Sequence, residues 1–483
     1  MASEIDLIPR LLAYEAGRAQ RQASHLHLSV RRDALVVCPI ALAGEDTTVH
    51  IMAIGPVGRS PRILCVPDPR IRDDQYALFE AFGAEIERYF QDCRDAETHP
   101  QLWVPSGSAV ALLDVLADRL RYNRDNPRVK RAGELLSYAT ERYPTAGQQA
   151  LLSATGALKR HWATGQQQAE DEHLGTLLAW IEPPAGATRA QVLAAVTAAE
   201  QVPMGVKTDP EFDRDTLMPL VSTYNEARRA GAATSVLARR AAAIQAALEP
   251  AVRRIYAATQ RAIGLLLAAG LPPLPDLAAL ERLEAAGFAS FMESRDQGYG
   301  LPLRDKPKPA AFKLNAREDA AQNVAVAVLR GDRVARARGT LAGRVVVGAV
   351  SGVRAARIGR KTEHRLTLAS SQRVLHVRQR DTLSWVEDPR LQFVVEDVRR
   401  AGRTTQLLLA VAAGMRAVGV PENGSLLELA TGAPDWSRLG RLRVHLAERL
   451  RNTPWTHAQG DIPASPARRG APADPLAALE ALR

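Results

Sequence analysis

Short apolar runs, separated by glycine and proline, dominate the first hundred residues. Leu26, Leu28 and Val30 alternate with polar residues, and this two-residue period predicts a half-buried strand. After a first helix over about residues 4–21, further strands are predicted over residues 34–42, 48–54 and 62–66. The pattern is typical of a small unit that combines a sheet with helices.

An amphipathic helix follows these strands. Asp73 and Asp74 stand where carboxylates favour a helix start, and Phe79, Phe82 and Ile86 then recur at three- and four-residue steps. We therefore expect a compact sheet with this helix packed on one face.

Helical periodicity extends with short interruptions from residue 105 to residue 330. The longest helix is predicted over residues 235–269, where Pro250 would introduce a kink because a mid-helix proline removes a hydrogen bond. Residues 301–315 carry three of the seven lysines and three prolines, which favours an exposed linker.

The pattern returns to short β runs between about residues 340 and 415. Strands are predicted over residues 344–350, 363–369, 374–378, 393–398 and 405–411. Five short strands in about seventy residues favour a small barrel of the OB or SH3-like kind. In this barrel Leu375 and Val377 would face the core, and His376, Arg378 and Arg380 would face the solvent.

Together these patterns predict an α+β multidomain protein. The predicted regions are a small α/β unit over residues 1–100, an α-helical domain over 105–330, a basic β-barrel module over 335–418, a short helical region over 419–457 and a flexible tail over 458–483. The tail ends in a stretch where Leu476, Leu479 and Leu482 share one helical stripe, which would suit docking to a partner.

The distribution of charge changes this picture more than its total does. The 483 residues include 63 basic and 53 acidic side chains, for a net charge of +10. Residues 330–380 contain 13 basic and two acidic residues, so this segment has a net charge of +11 and the remainder −1. A concentrated positive patch on a barrel is typical of a protein that binds phosphate backbones.

Arginine suits phosphate contact because its planar fork binds two oxygens at once. The residues predicted to contact nucleic acid are Arg344, Arg354, Arg357, Arg360, Lys361, Arg365, Arg373, His376, Arg378, Arg380 and Trp385. Because Trp385 is the one aromatic ring of Phe, Tyr or Trp type close to this patch, sequence-tolerant contact with the backbone is favoured over stacking on bases. A solvated strand face and a surface for an acidic protein remain alternatives.

Composition and cysteine usage set the broad class. Apolar residues make up 46% and charged residues 24% of the chain, which excludes wholesale disorder. The three widely spaced cysteines fit neither a disulfide framework nor a zinc site. The acidic start lacks the apolar run of a secretory signal, and apolar runs elsewhere are shorter than a membrane span. We therefore expect a cytoplasmic protein with no membrane partner.

Familiar catalytic motifs are missing from the sequence. The stretch from Gly359 to Thr362 lacks the glycine spacing of a phosphate loop and is interpreted as a hairpin turn. No serine-hydrolase elbow, zinc-protease motif or dinucleotide fingerprint is present, and no lysine follows an acid by two positions as in many nuclease cores. No cofactor is implied.

Two acidic clusters are the remaining candidates for chemistry. Asp209, Glu211, Asp213 and Asp215 alternate like ligands of a hard cation, but Pro210 intrudes and the glycine of a calcium loop is missing, so a loop and helix start is favoured. Residues 170–173 precede an apolar run and are interpreted as a solvated helix opening.

The favoured hypothesis is a non-enzymatic nucleic-acid-binding accessory subunit. The placement of the module resembles that of small β-barrels inserted in nucleic-acid motor proteins, which implies a partner ATPase or nuclease. One alternative is an enzyme with a composite carboxylate or metal site, in which Asp209, Asp213 and Glu172 would be tested first. The other is an assembly protein that binds an acidic partner.

Overall fold

The computed structural model describes residues 4–432, apart from residues 46, 303–304 and 359–360. Within these, residues 4–301 and 320–432 belong to one compact unit, and residues 302–319 belong to a second. The predicted tail over residues 458–483 and most of the predicted region over residues 419–457 lie outside the described residues. Mixed α+β architecture with a closed β-barrel near the C-terminus confirms the coarse fold prediction.

Helices and strands are numbered in chain order. The helices are α1 Glu4–Ala16, α2 Arg72–Asp95, α3 Gly107–Arg121, α4 Pro127–Arg142, α5 Ala154–His161, α6 Leu174–Ile181, α7 Arg189–Glu200, α8 Pro210–Phe212, α9 Met218–Arg229, α10 Thr234–Ala268, α11 Leu277–Asp296, α12 Pro307–Gly331, α13 Arg333–Leu341 and α14 Met415–Val418. The strands are β1 Gln20–Arg21, β2 Leu35–Ala41, β3 Val49–Pro56, β4 Arg62–Cys65, β5 Leu102–Val104, β6 Leu151–Ser153, β7 Trp162–Ala163, β8 Val345–Ile358, β9 Lys361–Ser370, β10 Thr382–Trp385, β11 Gln392–Ala401, β12 Thr404–Ala413 and β13 Leu426–Thr431. Within the described residues, no helix has the length and apolar character needed to cross a bilayer.

A five-stranded sheet forms the centre of the larger part of the chain. Its strand order is β4, β3, β2, β5, β6, in which β2 to β4 form an antiparallel meander and β5 and β6 run parallel to β2. Every residue of β2 is buried, because helices cover both faces of the sheet. The sheet also includes β6 from the region that the sequence predicts as helical.

Apolar side chains on both sides hold the sheet between its helices. Phe79, Phe82 and Phe90 of α2 are fully buried on one face together with residues of α3 and α4. Helices α5, α6, α9 and α10 cover the other face. Full burial of each such side chain contributes about 1.5–3 kcal/mol to stability, so the layered core is the main stabilising element.

The strand predicted over residues 26–30 does not form. Leu26 makes only a single bridge to Pro273, and the N–H of Ser29 donates instead to the Gln149 side chain at 2.8 Å. Leu28 is nevertheless fully buried. The alternation therefore predicted the burial of Leu28 correctly, but the backbone bonds to side chains and to the single bridge rather than to a strand ladder.

A buried carboxylate joins this N-terminal loop to the region before the barrel. Asp332 is fully buried and accepts hydrogen bonds from the N–H of Ser24 and from Nε2 of His27, both at 2.8 Å. It also caps α13 by accepting from the N–H groups of Val334 and Ala335. Burial alone would raise the pKa of Asp332, but hydrogen bonds from His27, Ala335 and Ser24 lower it overall.

His161 lies beside this carboxylate cluster and is fully buried. Its Nδ1 donates to the carbonyl of Ala157 at 2.7 Å, so its Nε2 accepts from the N–H of His27 at 3.1 Å. Burial lowers the pKa of His161 to about 4. The ring is therefore neutral at neutral pH, as its acceptor role requires.

Six antiparallel strands form the closed barrel, in the order β10, β11, β12, β9, β8, β13. The sequence predicted five strands and placed helical turns where β13 closes the barrel against β8 and β10. Leucine, valine and phenylalanine side chains from all six strands fill its interior. Closure leaves no free strand edge over the paired part of the barrel.

Candidate nucleic-acid interface

The barrel is fixed to the rest of the compact unit by a small apolar contact and an ion pair. Val326 and Leu329 pack against Val345 of β8 and its neighbours. Arg336 pairs with Glu428 of β13 at 3.0 Å. These contacts involve the start of β8 and strand β13.

Strand register brings several basic residues together at one end of the barrel. Strand β8 starts at this end, β9 finishes there opposite the start of β12, and the turn between β11 and β12 projects from it. The arginines here are exposed and have no side-chain hydrogen bond or ion pair within the described residues; we call them the basic rim. The rim consists of Arg344, Arg373, Arg378, Arg380, Arg400 and Arg403.

The loop between β9 and β10 positions three of the rim residues. Residues 374–378 do not form the predicted strand, because the N–H of His376 donates to Gly343 at 2.9 Å and that of Arg378 donates to the Asp381 carboxylate at 2.7 Å. Val377 is nevertheless buried, whereas His376, Arg378 and Arg380 are exposed. The prediction of which side chains face the core and which face the solvent is therefore confirmed, although the segment forms no strand.

The backbone of this loop is unusual at Arg380, which has a φ of +75°. Its N–H donates to the carbonyl of Val395 at 2.8 Å, and the Gln379 side chain donates to the carbonyl of Glu396 at 2.8 Å. These two bonds hold the turn against β11. A left-handed conformation costs a non-glycine residue about 1–2 kcal/mol, and such residues are concentrated at functional sites.

Sequence reasoning missed two members of the rim. Arg400 and Arg403 flank the turn between β11 and β12, where Gly402 has a φ of +64°. The neighbouring Arg399 is instead paired with Asp397 at 2.6 Å. Three arginines around one glycine turn were a usable signal, but the charge-rich window ended at residue 380.

Arg365 differs from the rim arginines because carboxylates of the barrel contact it. Its Nε lies 2.9 and 2.8 Å from the two carboxylate oxygens of Glu396, and its guanidinium lies 3.4 Å from Glu363. The hydrogen bond and charge of Glu396 raise the pKa of Arg365. Its positive charge is therefore already balanced by carboxylates of the barrel, so its contact with nucleic acid stays a prediction.

Trp385 is half-buried on β10 and packs against the barrel core. Its backbone pairs with Leu429 of β13 and donates to Leu391. The indole thus belongs to the barrel wall rather than to an exposed stacking surface. This position further favours contact with phosphates over contact with bases.

Three further predicted residues, Arg354, Arg357 and Lys361, lie on an extension at the other end of the barrel. Strands β8 and β9 pair with each other as far as Ile358 and Lys361. Strand β13 pairs with β8 only as far as Ala349, and β12 pairs with β9 only as far as Arg365. We call this two-stranded extension the arm. Arg354 is exposed on it, opposite Arg365. The side chains of Arg357 and Lys361, and all of Arg360, lie outside the described residues.

The full barrel is less basic than the window that drew attention to it. Residues 344–432 contain 14 basic and eight acidic residues, a net charge of +6. Several of these acids pair with arginines, as Asp388 does with Arg390 at 2.6 Å. The unpaired arginines therefore identify the basic surface better than net charge does.

The acidic candidates have structural partners. Asp209 caps α8, and Asp213 accepts from the Thr208 hydroxyl at 2.7 Å. Glu172 pairs with Lys159. Asp171 lies in the predicted solvated opening but is buried and bonded to Arg10 at 2.7 Å, so that interpretation is wrong for this residue. Among the described residues, no group of three or more His, Cys, Asp or Glu side chains is arranged to hold a metal ion.

The chain was compared with protein-family models, curated proteins and solved structures. No protein-family model, curated protein or solved structure matches the chain. Function is therefore argued from the arrangement of charge on the barrel.

Proposed function

We propose that this protein is a non-enzymatic nucleic-acid-binding accessory subunit that contacts the phosphate backbone through the basic rim. The observation that supports this most is the presence of six exposed arginines, without a carboxylate partner in the described residues, at one end of a closed barrel. Each guanidinium there is free to bind phosphate oxygens without first breaking an internal ion pair.

The absence of a stacking surface at the rim favours sequence-tolerant binding. In the loop between β9 and β10, the exposed aromatic ring is that of His376. Trp385 on β10 packs into the barrel wall instead. Phosphate contacts position a protein on nucleic acid without specifying its sequence. We therefore propose that affinity depends weakly on base sequence and strongly on salt.

A matched pair of triple variants tests the rim. One variant changes the unpaired arginines Arg373, Arg378 and Arg403 to Gln, and the control changes three paired arginines of the same barrel. The control residues are Arg365, Arg390 and Arg399. Both variants remove three positive charges, so long-range electrostatics changes equally in the two.

We expect the rim variant to bind a fluorescent duplex about 10–100-fold more weakly than the unaltered chain at 0.1 M salt, measured by anisotropy. The control should lose much less, because its arginines already contact carboxylates. Equal losses would show that net charge rather than the rim is responsible, and unaltered binding in both would remove the barrel from the site.

The proposal includes a partner ATPase or nuclease supplied in trans. Purification of the tagged full chain from its native host, with and without nuclease treatment, tests this part. An ATPase or nuclease that remains bound after the nucleic acid is digested supports it. Recovery of an acidic protein instead, with rim variants that lose it, would favour the assembly hypothesis.

A further inference from the structure

A polar cavity of about 270 Å³ lies in the part of the chain that is built on the five-stranded sheet, far from the barrel in the sequence. It is formed by the turn before α2, the first turn of α2 and the end of α3. Its polar lining consists of Arg70, Arg72, Gln75, Tyr76, Arg119 and Asn123. Among the described residues, no carboxylate belongs to the lining, so hydrogen-bond donors dominate it.

Arg119 carries the charge that the surroundings balance least. Its guanidinium donates to the Thr47 hydroxyl at 2.6 Å and to Oε1 of Gln75 at 3.1 Å. Both acceptors are neutral, so they fix the orientation of the guanidinium without cancelling its charge. An oriented, uncompensated guanidinium at a cavity wall is a preorganised site for an anion.

Tyr76 supplies a directed neutral donor. Its hydroxyl oxygen accepts from Nδ2 of Asn123 at 2.7 Å and from Nε of Arg72 at 2.9 Å, and these bonds lower the pKa of Tyr76. Two donors occupy the lone pairs of the oxygen, so its own proton must be donated elsewhere. The Arg72 guanidinium also lies 5.1 Å from the centre of the Tyr76 ring, which holds the ring in place.

Acidic groups surround the cavity but bind its arginines only weakly. Arg70 pairs with Glu45 at 2.8 Å and Arg72 pairs with Asp125, and all four side chains are about a third exposed or more. Exposed pairs of this kind contribute about 0–1 kcal/mol, so a dianion can compete with them. Asp73 lies on the same helix turn.

We propose that this cavity binds the phosphoryl group of a small phosphomonoester. Three guanidinium groups, a phenol and two side-chain amides match the several acceptor oxygens of such a dianion. The volume suits a phosphate with a small organic group rather than a large cofactor. The terminal phosphate of a nucleic-acid strand has the same chemistry as a free sugar phosphate.

Titration of the full chain with inorganic phosphate tests the site. Thermal unfolding is followed while sodium chloride keeps the ionic strength constant. We expect Tm to rise with phosphate and to saturate, because a ligand that binds only the folded state stabilises it. No rise beyond that seen with chloride alone would overturn the proposal.

Variants then locate the binding. Arg119→Gln should weaken phosphate binding about tenfold and Tyr76→Phe about threefold, since one removes a charged donor and the other a neutral one. Arg124→Gln is the control, because Arg124 is an exposed arginine nearby that does not line the cavity. Equal loss in the control would overturn the assignment to this cavity.

Two further probes identify the source of the phosphate. Ribose 5-phosphate and an oligonucleotide ending in a 5′-phosphate are compared with an oligonucleotide ending in a 5′-hydroxyl. Displacement of inorganic phosphate by either phosphorylated probe supports the site and names its source, and displacement by neither would overturn it. Rim binding measured on Arg119→Gln should stay unchanged, so the two proposals fail separately.

Discussion

At the scale of single residues, Arg380 shows a conflict between backbone preference and surface charge. Its positive φ suits glycine, yet the position holds an exposed arginine in the middle of the rim. A conformational cost of about 1 kcal/mol at such a position is worth testing, because strain retained at a surface loop often accompanies function.

We predict that Arg380→Gly leaves the free energy of unfolding unchanged or raises it by up to about 1 kcal/mol, because glycine adopts this φ without strain. The same change should weaken binding to a labelled duplex by several-fold. Urea denaturation and fluorescence anisotropy measure the two effects. Arg380→Ala is the control, since it removes the charge but keeps the strain, and a gain in stability there would contradict this explanation.

Buried histidines give the chain a predictable response to acid. His50 and His161 are fully buried, and burial lowers the pKa of each to about 4. The unfolded chain binds these protons near pH 6.5, so between about pH 6.5 and 4 the unfolded state holds more protons than the folded state. The stability these neutral rings contribute is therefore present above this range and lost as the pH falls through it.

We predict that, as the pH falls through this window, each histidine lowers the free energy of unfolding by about 1.4 kcal/mol per pH unit. His161→Gln should remove one histidine's share of the slope, because glutamine can still donate and accept but does not titrate. Urea denaturation at half-unit pH steps measures it. An unchanged slope would mean that His161 is protonated in the folded state.

Residues that look alike in the sequence separate once their partners are known. Arg365 and Arg378 both alternate with buried neighbours in the basic window, but Arg365 pairs with Glu396, which is 31 positions away. Alternation identifies the exposed side of a segment, and it does so correctly here. It cannot show which exposed arginines meet a carboxylate, because that depends on strand register.

At the scale of elements, the strands that the sequence predicted correctly are those that find a partner strand to pair with. Strands β2 to β4 form in the predicted places, whereas residues 26–30 and 374–378 alternate without pairing. Alternation reports half-burial of side chains, and a ladder also needs a partner at the right distance. Strand β13 was missed because its pattern is short and follows a glycine- and proline-rich turn.

Close packing between helices provides a test at the same scale. A Cβ built on Gly133 of α4 would lie 2.2 Å from the backbone nitrogen of Arg121 in α3, so the two helices approach each other through this glycine. Gly264 in α10 has no atom near its missing Cβ. The two glycines thus share a helical backbone but differ in their surroundings.

We predict that Gly133→Ala lowers the free energy of unfolding by about 1–3 kcal/mol, because backbone atoms of α3 must move. Gly264→Ala should raise it by up to about 1 kcal/mol through better helix propensity. Thermal and urea unfolding of both variants measure the difference. Stabilisation by both would show that α3 and α4 separate easily.

At the scale of the whole molecule, the charges occur as distinct surfaces rather than as one basic patch. The rim and the arm lie at opposite ends of the barrel. The cavity that Arg70, Arg72 and Arg119 line lies between the start of α2 and the end of α3. The sequence predicted the region of the barrel and four rim arginines. It could not predict the cavity, because its arginines come from a turn and two helices.

The salt dependence of binding should count the rim contacts. For duplex DNA the slope of log K against log salt changes by about 0.9 for each phosphate contact. We predict that each single change of a rim arginine to Gln reduces the slope by about one, and that Arg399→Gln changes it little. Anisotropy titrations between about 0.05 and 0.2 M salt measure this, and a slope that no rim change alters would exclude phosphate contact there.

The length of β8 fixes the distance between the two basic ends of the barrel. This strand has 14 residues and runs from the rim end of the barrel into the arm, a span of at most about 45 Å. That distance corresponds to about 13 base pairs of duplex at 3.4 Å each. If both basic ends engage one duplex, affinity should rise stepwise once the duplex exceeds this length. A smooth rise with length would assign binding to one end alone.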